Sequence, residues 1–100
     1  MDSGSSGEAW EPWALECLAH VKQLLESPDG YLPTVQSLGR TIEDVSLGPG
    51  TSGPAIHVRY RDARDGELHD WDMSILAAGS LEYEDPDSLA STIVINFIEP

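Results

Sequence analysis

Apolar residues recur along this chain at two spacings, about 3.6 residues and two residues, and these predict its elements. In EAWEPWALECLAHVKQLLESPDG, the residues Trp10, Trp13, Ala14, Cys17, Leu18, Val21, Leu24 and Leu25 form one helical stripe. Glu16, Ala19 and Gln23 fall on the opposite, water-facing side, and His20 lies at the edge of the stripe. Pro12 suits a first helical position, and Ser27-Pro28-Asp29-Gly30 stops the helix. YLPTVQSLGRT is ambiguous; Pro33-Thr34 followed by Val35 and Leu38 fits a short helical turn ended by Gly39. TIEDVSLG then alternates as a strand, and GPGTSGP is a loop too rich in Gly and Pro for regular structure.

The clearest period-two pattern is AIHVRYRDARDGELHDWDMSIL, Ala55 to Leu76, which reads as a β-hairpin. Asp65-Gly66 is a two-residue turn signal, since a type I′ turn needs positive φ at both central residues. With that turn Arg64 faces Glu67, and Tyr60, Val58 and Ile56 face Trp71, Met73 and Ile75 on one apolar side. The other side carries Arg61 opposite Asp70, Arg59 opposite Asp72 and His57 opposite Ser74. A one-residue slip would set Arg against Trp, so the pattern opposes it. If the preceding strand pairs with Leu47 at Ile56 and Val45 at Val58, Asp44 meets Arg59, which makes Ile56–Arg61 the central strand of a meander. That register leaves Glu43 on the inner side, tolerable only near an open edge.

Beyond the hairpin, Leu81 and Tyr83 alternate with Glu82 and Glu84 as a short fourth strand. Asp85-Pro86-Asp87 opens a helix: an N-cap acid, Pro at the first position and a second acid in the first turn. In SLASTIVINFIEP the β-branched content favours a strand, whereas Leu89, Ala90, Ile93, Val94 and Phe97 keep a helical face with Ile95 outside it. The N-cap decides for helix. The expected fold is α+β: a three- to four-stranded antiparallel meander with an N-terminal and a C-terminal helix packed on one face. Residues 1–7, rich in Gly and Ser, are expected to be a disordered tail, and 8–100 a single domain.

Charge changes this picture most. The chain of 100 residues has 18 acidic and 5 Lys/Arg residues, a formal net charge of -13, and no Lys or Arg after Arg64. That field repels nucleic acid and anionic membrane surfaces and attracts basic proteins, although acidity also serves plain solubility. The start shows neither a basic n-region nor an apolar run, and the single cysteine rules out an internal disulfide, so a cytoplasmic protein is expected. Arg used over Lys, with much Ala, Gly, Asp and Pro, points to a GC-rich bacterial genome.

Catalytic chemistry finds little footing. There is no Gly-x-Ser-x-Gly, no paired Cys and no phosphate-cradling loop with its Lys, and Cys17 lies within an apolar stripe. His57, Asp70 and Asp72 point to one face of the hairpin and His69 to the other, so they do not converge on one cation. No cofactor, no metal and no enzymatic activity are expected. Arg59, Arg61, Asp70 and Asp72 form a charged face, either a self-satisfied ladder of pairs worth about 0.2–1 kcal/mol each or a docking surface.

The strongest candidate site is the acidic ridge of Glu82, Glu84, Asp85 and Asp87, with Tyr83 set among the acids. Carboxylates without a local base attract a cationic partner, and an adjacent aromatic is a usual interface anchor. In size, acidity and helix-plus-meander order the chain is similar in kind to small bacterial immunity and antitoxin proteins, which neutralise basic toxin domains. No residue motif carries that likeness. The sequence thus points to a small acidic, non-enzymatic protein-binding module, of inhibitor or immunity type, directed at a protein with a basic surface. A small-ligand or metal-binding domain, with His69 or Trp71 lining a cleft between helices and sheet, is the alternative. A homodimer through a sheet edge or Ile95 is a third.

Overall fold

The computed structural model describes residues 10–50 and 53–99; the expected tail at 1–7 lies outside them. Helix α1, Pro12–Glu26, begins at the expected proline, with Ala14 N and Leu15 N donating to Glu11 O at 3.0 and 3.2 Å. Ala14, Cys17, Val21 and Leu25 are buried, and Trp10, Trp13, Leu18 and Leu24 pack beside them, so the 3.6-residue stripe is the core face. The chain then turns back over the last turn of α1, where Tyr31 N donates to Leu24 O at 2.8 Å. Gly30 is needed there, because a β-carbon would sit 2.9 Å from that same carbonyl oxygen. The ambiguous stretch is a short helix, α2, Leu32–Ser37, which buries Val35 and is followed by Gly39 at φ 80°.

Three strands follow, β1 (Arg40–Gly50), β2 (Gly53–Asp62) and β3 (Glu67–Ser74), in the antiparallel order β1-β2-β3. The first pairing has the expected register, with Leu47, Val45 and Asp44 opposite Ile56, Val58 and Arg59. A bulge resolves the misplaced acid. The ladder passes from Ile42↔Tyr60 to Asp44↔Arg59 without pairing Glu43, so Ile42 packs against the core while Glu43 reaches Arg61 at 3.6 Å. On either side of Thr51 and Ser52, which lie outside the described residues, the Gly/Pro-rich segment is more regular than its composition predicts, since the ladder continues through Pro49↔Pro54 to Gly50↔Gly53. Proline costs no ladder bond there, because β1 is an edge strand and β3 ends opposite Ala55.

The second pairing departs from expectation by two residues. Ile56, Val58 and Tyr60 face Met73, Trp71 and His69, and His57, Arg59 and Arg61 face Asp72, Asp70 and Leu68. The type I′ turn fails because only Gly66, at φ 72°, has positive φ; Asp65 does not. A four-residue loop replaces it, closed by Gly66 N donating to Asp62 O at 2.7 Å and organised by buried Asp62, which accepts from Arg64. A slip of two preserves side-chain parity, so both faces keep their expected character while every partner changes.

β3 stops at Ser74, and Ile75 opens a one-turn helix, α3 (Ile75–Ala78), instead of pairing with Ile56. The expected fourth strand is a turn: Tyr83 N and Glu84 N both donate to Ser80 O, at 3.1 and 2.9 Å. Helix α4, Pro86–Ile98, starts as the N-cap argument requires, with Asp85 Oδ1 accepting from Ser88 N at 3.0 Å. It buries Leu89, Ala90, Ile93, Val94 and Phe97 and leaves Ile95 40% exposed. Phe97 meets the rings of Tyr60 and Trp71 edge-on at 5.3 and 5.2 Å, tying α4 to the apolar face of the sheet beside α1. Among the described residues, no helix is long and apolar enough to cross a membrane.

Candidate functional site

The acidic ridge lies between α3 and α4 and is shaped by Ser80. Its carbonyl takes the two amides just named, and its Oγ accepts from Glu82 N at 3.1 Å. This turn lifts Tyr83 off the surface, 84% exposed, with Leu81 at 39% and Leu76 of α3 at 40%. Leu76, Gly79, Ser80, Leu81 and Glu82 line an open groove of about 510 Å³. The Glu84 carboxylate lies against Gly79, where a β-carbon would collide with it and with Leu89.

The five ridge residues divide by role. Asp85 caps α4, and the hydrogen bonds from Ser88 hold its carboxyl below the usual aspartate range, with His20 adding a smaller effect. Asp87 stands in the first turn of α4, favoured by the helix dipole, 3.6 Å from His20 Nδ1. Glu82 and Glu84 have no such task. Among the described residues neither forms an ion pair, and Tyr83 stands between them.

The charged face of the sheet is less of a ladder than the expected register made it. Arg59 pairs with Asp70 at 3.1 Å, but Arg61 turns to Glu43 and to Gly66 O, at 3.6 and 2.9 Å, and Asp72 stands opposite His57. Asp44, Ser46, His57, Arg59 and Asp70 border an open concavity of about 520 Å³. The His57 ring packs against Gly48, where a β-carbon would sit 2.7 Å from Nε2. Among the described residues no three His, Cys, Asp or Glu are grouped to hold a metal ion. Burial pushes the Cys17 thiol up to about 11, which keeps it protonated and unreactive at neutral pH.

A cleft between helices and sheet is present, but elsewhere than the sequence suggested. Leu25, Leu32, Gln36, Arg40 and Ile42 border a space of about 280 Å³ where α1, α2 and β1 meet. His69 and Trp71 are not among its walls. His69 stacks on Tyr60 at 5.5 Å and bonds Asp65 at 2.8 Å, and Trp71 packs on Phe97. Arg40, which sequence reasoning missed, lies 4.9 and 5.1 Å from the Phe97 and Tyr60 ring centroids and donates to Phe97 O at 2.8 Å. Its charge thus meets two ring faces and the carbonyl end of α4. Leu76 and Gly79 of the groove were missed as well; LAAGS reads only as a turn until the helix beside it is in place.

Comparison with protein-family models, with curated proteins and with solved structures returns no match.

Proposed function

We propose that this chain is a non-enzymatic binding protein that docks a cationic protein surface on the ridge Glu82–Asp87, acting as an inhibitor or immunity-type module. The observation that carries this reading is Tyr83, 84% exposed between two carboxylates that no base neutralises among the described residues. Tyrosine is among the residues enriched as anchors at protein interfaces, and here it stands beside the exposed Leu81. Two unpaired acids at the same place raise the encounter rate with a basic surface, and their like charge opposes acidic competitors. Asp85 and Asp87 hold the helix that supports the ridge and add to its field.

The test is capture of proteins from a lysate of the source organism by three immobilised forms of the chain. These are the wild type, Tyr83→Ala with Glu82→Lys and Glu84→Lys, and a control with Glu26→Lys and Asp29→Lys. The control has the same two charge reversals on exposed residues at the far end of α1. A basic protein retained by the wild type and the control, and lost by the ridge variant, is the expected result. Equal retention by all three would remove the ridge from the function.

A small-ligand domain is a second reading, supported by the cleft beside Arg40. It requires a metabolite that raises the melting temperature of the wild type and not of Arg40→Gln.

A further inference from the structure

Resting on the ridge reading, we infer that the groove between α3 and the Ser80–Glu84 turn takes a large aliphatic side chain from the partner, flanked by Lys or Arg. The recognised element is then an amphipathic basic segment of a protein, not merely a positive surface. Leu76 and Leu81 are 40% and 39% exposed and line the same open space of about 510 Å³ as Glu82. The carboxylate of Glu84 lies against Gly79 in that lining. Apolar wall and acid are therefore contiguous. An inserted aliphatic group covers the leucines while its basic neighbours meet Glu82 and Glu84, so each half of the site selects a different half of the partner. A purely polar cation would leave Leu76 and Leu81 wet. A second copy of this chain would bring the same carboxylates to the contact and be opposed by like charge. The groove is open on one side, which suits a side chain borne on an approaching surface better than an enclosed small molecule.

Two synthetic peptides of equal length and charge, one alternating Lys and Leu and one alternating Lys and Ser, test this on the full-length ¹⁵N-labelled chain. The Lys/Leu peptide is expected to bind about tenfold more tightly, the effect of covering one aliphatic side chain. Its amide shifts should centre on Leu76, Gly79, Leu81 and Tyr83. Leu76→Ser with Leu81→Ser should erase the difference and leave Lys/Ser affinity unchanged; if the pair disturbs α3, Leu81→Ser alone makes the same comparison. Equal affinities with shifts at Glu82–Glu84 would overturn the aliphatic anchor and leave the ridge as a cation-docking surface. Shifts elsewhere, or no binding by either peptide, would overturn both.

Discussion

The carboxylate of Asp62 is held by three hydrogen bonds from Arg64, from its amide at 2.9 Å, Nε at 3.1 Å and Nη2 at 2.8 Å. The loop between β2 and β3 is built on this contact, and with it the register of the hairpin. The Arg64 donors hold the Asp62 carboxyl well below the usual aspartate range. Because the folded pKa lies below the unfolded one, the ion's contribution is complete above about pH 4 and is lost as the pH falls further. Asp65 and Asp85 are shifted the same way, by bonds from Glu67 and His69 and from Ser88 respectively. Asp62→Asn should therefore lower the melting temperature at pH 7, and the gap to wild type should narrow progressively as the pH falls below about 4 toward the depressed folded pKa. A gap that stays constant with pH would show that the charge is not what matters.

Phe97 joins α4 to the sheet through two ring contacts and is 2% exposed. Phe97→Ala should cost about 3–5 kcal/mol in urea unfolding, a large share of what so small a domain has. The Trp71 ring loses its neighbour in that variant, so a red shift of tryptophan emission should accompany the loss.

Gly30→Ala tests the reversal after α1. The new β-carbon would sit 2.9 Å from Leu24 O, a backbone atom fixed by its bond to Tyr31 N. Destabilisation of about 1–3 kcal/mol is expected, measured by the same urea titration. An unchanged midpoint would mean that the turn can open without loss.

The sequence carried most of this fold, for identifiable reasons. The stripe of α1, the Asp85 cap and the β1–β2 register were legible because each rests on several residues that agree. The β2–β3 register was not legible, because parity constrains a hairpin only modulo two. Arg59 and Asp70 make as good a pair as Arg59 and Asp72, so the choice fell to Asp62, whose role depends on its own burial. Ile75 alternates like a strand residue, but continuing the ladder would set it opposite Pro54, which has no amide to donate, and among the described residues no strand pairs with Leu81–Tyr83. At the ridge the acids and Tyr83 were visible in the sequence, whereas Leu76 joins them only through the turn made by α3 and Ser80.

Tyr83 separates binding from folding. At 84% exposure its removal should change stability by no more than about 0.5 kcal/mol. The same Tyr83→Ala change should weaken partner binding by about tenfold or more, as loss of an aromatic anchor does. Melting curves and a binding isotherm on one preparation decide this.

The most direct measurement is the association rate of the captured partner with wild type and with Glu82→Lys/Glu84→Lys, followed by stopped flow from about 0.05 to 0.5 M salt. The wild-type rate should fall steeply with salt, and the variant should start slower and fall less steeply, since the rest of the chain stays acidic. Matching rates with no salt dependence in either protein would contradict electrostatic docking on the ridge.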